Sequence, residues 1–237
     1  MNDRRMKREQ VRACIQNAGI IPAIRAHTEA EALFAAASVF RGGIPIVEIT
    51  MTSPGGPDLI GKLRSAASEV VVGAGTVVDA EMARVCIQSG ALFITSPGFD
   101  REITEVANTS DVVCIPGALT PTEIIFATRT PAEFVKVFPC SQVGGPSYIR
   151  ALKRSFPATR LIASGGVTQK NAGEFIRAGA AALGIGEDLI PPEAVRQRNE
   201  GWIHELARRF LAMVREARAA RAQAEMVANH HTPTGID

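Results

Sequence analysis

Two ionisable residues lie inside apolar segments of the sequence and are the first candidates for chemistry. Lys136 is in the middle of EFVKVFP, and Glu48 is in the middle of IVEIT. Both segments are typical of short parallel strands that are covered on each face. Burial disfavours the ammonium form of a lysine. Lys136 could therefore pair with a carboxylate, reach back to the surface, or attack a carbonyl as a partly neutral amine and form a Schiff base.

Glu48 admits a structural and a catalytic interpretation. In the structural one, Glu48 and Lys136 simply form a buried ion bridge. Such a bridge is a weak source of stability, because the cost of desolvation can exceed the Coulomb attraction. Function is the better explanation for keeping both charges inside, since an amine nucleophile and a carboxylate acid/base are the two parts of an imine mechanism. We therefore predict that Lys136 and Glu48 are the catalytic residues.

The segments around these residues follow a regular rhythm. Between Ile20 and Ile190, strand-like runs alternate with helical segments in eight units, with no change of composition that indicates a domain boundary. This alternation predicts an all-parallel α/β sheet, and eight units favour a single (β/α)8 TIM barrel over an open doubly wound sheet. Residues 1–190 are predicted to form the barrel with an N-terminal helix. Residues 191–228 are predicted to form a helical extension packed on the barrel or on a neighbouring subunit, and residues 229–237 a disordered tail.

The composition is that of an ordinary globular protein. Of the 237 residues, 46% are hydrophobic and 21% are charged, and the net charge of +2 favours neither a nucleic acid nor a membrane as a partner. The four cysteines have no zinc or disulfide spacing, and no cluster of histidines and carboxylates has the spacing of metal ligands. No apolar run is long enough to span a bilayer, and the start of the sequence lacks the apolar core of a signal peptide. We predict a cytoplasmic protein with reduced thiols that needs no metal.

Glycine-bearing turns follow several of the predicted strands. In a barrel, reactive side chains collect at the carboxyl ends of the strands, where glycine lets the backbone approach a ligand closely. Gly165-Gly166 and Gly184-Ile185-Gly186 have the layout of an anion site in the last two loops, although such turns also serve packing. The turns are GAGT (73–76), SPG (96–98), IPG (115–117) and SGG (164–166).

Taken in order, VEIT, GAGT, SPG, IPG, VKVFP and SGGV resemble the class I 2-keto-3-deoxy-6-phosphogluconate (KDPG) and 4-hydroxy-2-oxoglutarate (KHG) aldolases. The resemblance covers about residues 8–190. It implies a (β/α)8 lyase, usually a homotrimer, that cleaves a 4-hydroxy-2-oxo acid to pyruvate and an aldehyde with no metal or other cofactor. Lys136 matches the Schiff-base lysine, and Glu48 matches the general acid/base.

The resemblance also implies a set of residues that bind the small-molecule substrate. Thr76 and Pro97 match positions at the pyruvate end, and Arg25 in IIPAIRA matches an arginine that contacts substrate in related sugar-acid aldolases. The remaining members of the set belong to the expected carboxylate and distal ends: Thr52, Ser164, Gly165, Gly166, Gly186 and Glu187.

Two positions depart from the pattern of the family. Thr52 stands where an arginine commonly follows the glutamate, so Arg25, whose planar fork suits a carboxylate, could take over that contact. Glu187 stands where a serine usually helps to hold a phosphate. A carboxylate repels a phosphate, so either Glu187 turns away or the preferred substrate is unphosphorylated.

Two other functions remain open at the level of the sequence. One is a different phosphate-binding barrel, such as an isomerase of phosphosugars, which would need no imine. The other is a barrel without catalysis that acts as a binding subunit through its arginine-bearing C-terminal helix. Covalent trapping of pyruvate separates the first from an aldolase, and release of pyruvate from a panel of oxo acids separates the second.

Overall fold

The computed structural model describes residues 6–67 and 69–230, and its centre is one parallel sheet. In hydrogen-bonded order the strands run β5-β4-β3-β2-β1-β9-β8-β7-β6, and their pairings are parallel. The strands are β1 (Ile20–Ile24), β2 (Ile46–Thr50), β3 (Val71–Gly75), β4 (Phe93–Thr95), β5 (Val113–Ile115), β6 (Gly117–Ala118), β7 (Val135–Val137), β8 (Leu161–Ser164) and β9 (Ala182–Ile185).

The two strands at the ends of this order, β5 and β6, together form one interrupted barrel strand. β5 and β6 are separated only by Pro116, which has no N–H to donate to a sheet ladder. Counted as one strand, β5 and β6 close the sheet into a barrel of eight strands, which confirms the (β/α)8 prediction. The interruption of the fifth barrel strand was not predicted.

Helices surround the barrel and follow the strands as the alternation predicted. Four of them begin at a Thr or Asp whose side chain accepts a backbone N–H of the first turn: Thr28, Asp79, Asp100 and Thr120. Such caps set where each loop ends, and so they keep the loops at the carboxyl ends of the strands short. The helices are α1 (Arg8–Ala18), α2 (Glu29–Arg41), α3 (Gly56–Ala66), α4 (Ala80–Gln88), α5 (Arg101–Thr109), α6 (Pro121–Thr128), α7 (Pro146–Ser155), α8 (Ala172–Arg177), α9 (Pro192–Arg196) and α10 (Glu200–His230), with a 3-10 turn at Ser141–Val143.

The C-terminal helix packs on the barrel of its own chain. Its buried face includes Ile203, Leu206 and Phe210, and the helix lies against α8 and α2. α10 reaches His230, so residues 229 and 230 are helical and the prediction of a disordered tail is wrong for them. Residues 231–237 lie outside the described residues. Within residues 6–67 and 69–230, no helix is both long enough and apolar enough to cross a membrane.

Candidate active site

Lys136 lies in the wall of the barrel, at the centre of β7. Its neighbours in register are Gly117 of β6 and Ile162 of β8. Only 9% of the residue is exposed, so it is buried as predicted. Its Nζ lies 5.3 Å from the centre of the Phe138 ring and donates to Thr95 Oγ1 at 3.4 Å. The amine is thus held inside the barrel, against an aromatic ring and a hydroxyl.

Glu48 is buried at the centre of β2, with Gly73 of β3 in register beside it. Its carboxylate accepts a hydrogen bond from Thr95 Oγ1, at 2.8 Å to Oε2. The space for the side chain is provided by Gly75. A Cβ at position 75 would lie 2.5 Å from Glu48 Cγ and closer still to the carboxylate. The position of Glu48 therefore depends on the absence of a side chain on the next strand.

Lys136 and Glu48 contact each other through a third residue. Thr95, 1% exposed at the end of β4, accepts from the amine and donates to the carboxylate. Among the described residues, no direct ion pair joins Lys136 to Glu48, so the buried ion bridge considered above does not form. Sequence analysis missed Thr95. The available signal was the one that identified Glu48, a polar residue in a buried strand.

A cavity of about 560 Å³ opens at the carboxyl ends of the strands, and Lys136 and Glu48 both line it. Most of the predicted binding residues line the same cavity: Arg25, Thr76, Pro97, Ser164, Gly165, Gly166, Gly186 and Glu187. A larger groove, of about 870 Å³, lies at the other end of the barrel among residues that precede β1, β8 and β9. None of the predicted site residues lines that groove.

Thr52 is the predicted binding residue that does not line the cavity. It is exposed, and its Oγ1 accepts from Arg25 Nε at 3.4 Å while lying 3.0 Å from Thr50 Oγ1. Thr50 in turn donates to the carbonyl oxygen of Ile24 at 3.1 Å. Thr52 is therefore connected to the cavity through Arg25, whose guanidinium it holds and which does line the cavity.

Several backbone conformations around the cavity are restrictive. Gly165 and Gly166 have φ values of +86° and +79°, which glycine adopts without strain. Thr76, directly after β3, has a φ of +59°. That conformation is costly for a β-branched residue, and such strain is concentrated at functional sites.

The outer end of the cavity carries charges of both signs. Glu187 lines it beside Asp188, and burial together with the negative charge of Glu187 raises the pKa of Asp188. His27 and Arg196 also line this end, and Arg196 forms an ion pair with Glu193 on the same helix. Asp188, His27 and Arg196 were not predicted, because their relation to the cavity depends on how the loops and α9 fold over the strand ends.

Among the residues that the structure describes, no three His, Cys, Asp or Glu side chains form a group that could hold a metal ion. The polar side chains of the cavity carry an amine, carboxylates, hydroxyls, an imidazole and two guanidinium groups. A (β/α)8 barrel with a buried amine and a buried carboxylate in one cavity, at the carboxyl ends of its strands, defines a class of barrel enzyme able to carry out amine–carbonyl chemistry.

Comparison with known proteins identifies the family. The family model "KDPG and KHG aldolase" matches residues 11–206. The 2-dehydro-3-deoxy-phosphogluconate aldolase of Pseudomonas aeruginosa is 30% identical over 220 residues, which are 92% of this chain and 99% of the relative. The 2-dehydro-3-deoxy-6-phosphogalactonate aldolase of Escherichia coli strain K12 is 34% identical over 172 residues, which are 72% of this chain and 83% of the relative. The chain therefore belongs to the KDPG and KHG aldolase family and is an aldolase, a lyase.

Solved structures agree with this assignment. KDPG aldolase from Legionella pneumophila, with pyruvate captured as a covalent carbinolamine, has a TM-score of 0.79 at 28% identity and covers 84% of this chain and 97% of its own. A cube-shaped protein cage, designed by fusing symmetric oligomeric domains, has a TM-score of 0.80 at 31% identity over 90% of this chain and 77% of its own. The predicted family and fold are both confirmed.

Proposed function

We propose that this aldolase cleaves a 4-hydroxy-2-oxo acid to pyruvate and an aldehyde by a class I mechanism, with Lys136 as the nucleophile and Glu48 as the general acid/base. The observation that carries the proposal is the buried Lys136 amine in the cavity wall, linked to Glu48 through one hydroxyl. The covalent carbinolamine captured in the Legionella relative supports the same chemistry. The mechanism uses no metal.

The amine of Lys136 attacks the C2 carbonyl and gives a carbinolamine, which loses water to form an iminium. The iminium accepts the electron pair of the C3–C4 bond as the proton of the C4 hydroxyl passes to Glu48. The aldehyde leaves, the resulting enamine takes a proton at C3, and water releases pyruvate. Glu48 faces the same cavity as the amine, so one carboxylate can serve each proton transfer.

The carboxylate of the substrate is assigned to Arg25. Thr52 Oγ1 accepts from Arg25 Nε, which leaves the two terminal nitrogens of the guanidinium for a bidentate contact. Thr76 and Pro97, which line the same cavity as Lys136, are assigned to the pyruvate end of the substrate. In this proposal Thr52 does not contact the substrate carboxylate itself but holds Arg25, which does.

Ser164, Gly165, Gly166, Gly186 and Glu187 are assigned to the aldehyde half of the substrate. Glu187 lines the cavity beside Asp188, and two neighbouring carboxylates repel a phosphate dianion but accept hydrogen bonds from hydroxyl groups. The substrate we favour is therefore an unphosphorylated hydroxylated 2-oxo acid. The named relatives from Pseudomonas and E. coli act on phosphorylated sugar acids, so their preference for phosphate can be compared with that of this protein.

Covalent trapping tests the nucleophile. Reduction with borohydride in the presence of pyruvate is expected to add one pyruvate to the peptide that contains Lys136, with or without a chelator. Lys136→Met is expected to abolish both trapping and turnover. Lys62→Met is the matched control, because Lys62 is an exposed lysine that pairs with Glu29 outside the cavity. Trapping in Lys136→Met, or loss of activity with a chelator, would contradict the proposal.

A substrate pair tests the aldehyde half. Pyruvate release from 2-keto-3-deoxygluconate is expected to exceed that from its 6-phosphate. Glu187→Ser removes one negative charge and is expected to shift the ratio of kcat/KM towards the phosphate by about tenfold, which corresponds to roughly 1.4 kcal/mol. A preference for the phosphate in the unchanged protein would show that the two carboxylates do not set specificity.

A homotrimer in the cytoplasm is part of the same proposal and rests on the family resemblance. Light scattering during size-exclusion chromatography is expected to give three times the mass of one 25.2 kDa chain. Cell fractionation is expected to recover the activity with the cytoplasmic enzymes.

A further inference from the structure

Thr95 is a buried hydroxyl in direct contact with both groups that the proposed mechanism requires. Its Oγ1 accepts from Lys136 Nζ at 3.4 Å and donates to Glu48 Oε2 at 2.8 Å. A hydroxyl can accept one proton while giving up another, so it can connect a donor to an acceptor without becoming charged. β4 has the sequence FIT and is buried throughout, so Thr95 is its one polar residue.

The position of Thr95 favours a role beneath the substrate. The cavity of about 560 Å³ at the carboxyl ends of the strands is lined by Lys136 and Glu48 but not by Thr95. Thr95 lines a separate pocket of about 10 Å³ deeper in the barrel, together with Lys136, Glu48, Ile21 and Ile162. That space is about one water molecule in size, too small for substrate. The hydroxyl therefore contacts the amine and the carboxylate from the side opposite the substrate and leaves the cavity side of Lys136 free.

We propose that Thr95 is the proton relay between Lys136 and Glu48. This inference rests on the proposed function and adds a catalytic residue to it. In the resting site, the ammonium of Lys136 passes a proton to Thr95 Oγ1 while the original hydroxyl proton passes to Glu48 Oε2. Two protons move, and the net result is the transfer of one proton from Lys136 to Glu48. The products are a neutral amine, an unchanged threonine and a protonated carboxyl group.

These products are the two species that imine formation needs. The amine turns about its Cε–Nζ bond so that the electron pair left by the proton faces the cavity, and it bonds to C2 while the protonated Glu48 gives its proton to the carbonyl oxygen. The Thr95 hydroxyl turns back towards the Glu48 carboxylate. The nitrogen, now carrying a positive charge, returns a proton to Glu48 through Thr95 and leaves a neutral carbinolamine. Glu48 then protonates the hydroxyl group, which departs as water while the nitrogen electron pair forms the iminium. Each cycle of the relay restores Thr95.

The arrangement explains why a hydroxyl lies where a direct ion pair could have formed. A direct buried pair stabilises the ammonium and the carboxylate together and so opposes the neutral amine. With Thr95 between them, the charged pair and the neutral pair differ only in the placement of two protons along one short chain. Both contacts persist in either state with their directions reversed: in the neutral pair Glu48 donates to Thr95 Oγ1, and Thr95 donates to Lys136 Nζ.

Rapid-quench borohydride trapping with pyruvate measures the rate at which the imine forms on Lys136. Thr95→Val keeps the shape of the side chain but removes the hydroxyl, and it is expected to slow trapping by about 100-fold, the lower part of the range for positioned acid–base groups. KM for the oxo acid is expected to stay within about threefold, since Thr95 does not line the substrate cavity. Thr95→Ser retains the hydroxyl and is expected to trap within about fivefold of the unchanged protein.

Thr104→Val is the matched control for removing a buried hydroxyl. Thr104 is also 1% exposed and donates to a backbone carbonyl, that of Asp100, but it lies on α5 outside the site. Its trapping rate is expected to be unchanged. A rate in Thr95→Val within threefold of the unchanged protein would overturn the relay, and so would a Thr95→Ser variant that is folded but as slow as Thr95→Val.

A measurement on the unchanged protein keeps the inference testable if Thr95→Val does not fold. In mixtures of H2O and D2O, a relay that moves two protons together gives a curved dependence of the trapping rate on the deuterium fraction. A single transfer gives a straight line and overturns the inference. Lys136→Met distinguishes this outcome from failure of the proposed function: if that variant is still trapped, the nucleophile is wrong; if trapping is lost, only the relay is at fault.

Discussion

Gly75→Ala is expected to displace the carboxylate of Glu48 while leaving both proposed catalytic residues, Glu48 and Lys136, in the chain. The added Cβ would lie 2.5 Å from Glu48 Cγ, whereas ordinary contacts begin near 3.4 Å. Glu48 Cγ must therefore move by about 0.9 Å, and the carboxylate beyond it by at least as much. A shift of that size is comparable to the difference between the 2.8 Å hydrogen bond from Thr95 and no bond.

A misplacement of about 1 Å in a catalytic group can lower a rate by 100-fold, so we expect kcat to fall by about that factor. The assay is pyruvate release followed with a coupled dehydrogenase, beside borohydride trapping of pyruvate by Lys136. Binding of the substrate carboxylate is expected to change little, because the atoms nearest to the added Cβ belong to Glu48 and not to Arg25 or Thr52.

Gly73→Ala is the control on the same face of the same strand. A Cβ at position 73 would collide with the ring of Phe93, which is core and lines neither the substrate cavity nor the small pocket beneath it. Gly73→Ala is expected to lower the thermal midpoint without a comparable loss of kcat in the molecules that remain folded. A folded Gly75→Ala protein with full kcat would refute the dependence of catalysis on the position of Glu48.

Three further outcomes follow from the structure. Arg218 donates to the carbonyls of Gln16, Asn17 and Ala181 at 2.6–2.9 Å, so Arg218→Ala is expected to lower the free energy of unfolding by about 2–3 kcal/mol in urea titrations, whereas exposed Arg215→Ala on the same helix is not. Glu187→Gln is expected to lower the pKa of Asp188 in a carboxyl NMR titration, because the charge of Glu187 is one of the two causes that raise it. Because the pKa of Asp188 is raised in the folded state, the contribution of Asp188 to the free energy of unfolding falls as pH rises through that pKa. Burial raises the pKa of Cys86 and Cys114 to about 11 and of Cys140 to about 12, so mass spectrometry after iodoacetamide at pH 8 is expected to show these thiols labelled only in denaturant; labelling of the folded protein would contradict this.

The sequence by itself determined the barrel and the two principal ionisable residues. Alternating strands and helices are a one-dimensional pattern, and eight such units bury their apolar faces by closing into a ring. Lys136 and Glu48 stood out for a related reason, because a charge within an apolar run is costly and rarely retained without a use. The caps at Thr28 and Asp79 are equally local, because each side chain accepts a hydrogen bond from the backbone N–H three residues later.

Only the tertiary structure decided how these residues meet. Thr95 lies 47 positions from Glu48 and 41 from Lys136, and nothing in its own segment indicates that its hydroxyl separates the two. The hydrogen bond from Arg25 to Thr52 likewise joins residues 27 positions apart. Gly75 reads as a turn glycine, but its place beside Glu48 shows that it makes room for the carboxylate. Contacts of this kind depend on the register between neighbouring strands, which is fixed by closure of the whole barrel and not by any single segment.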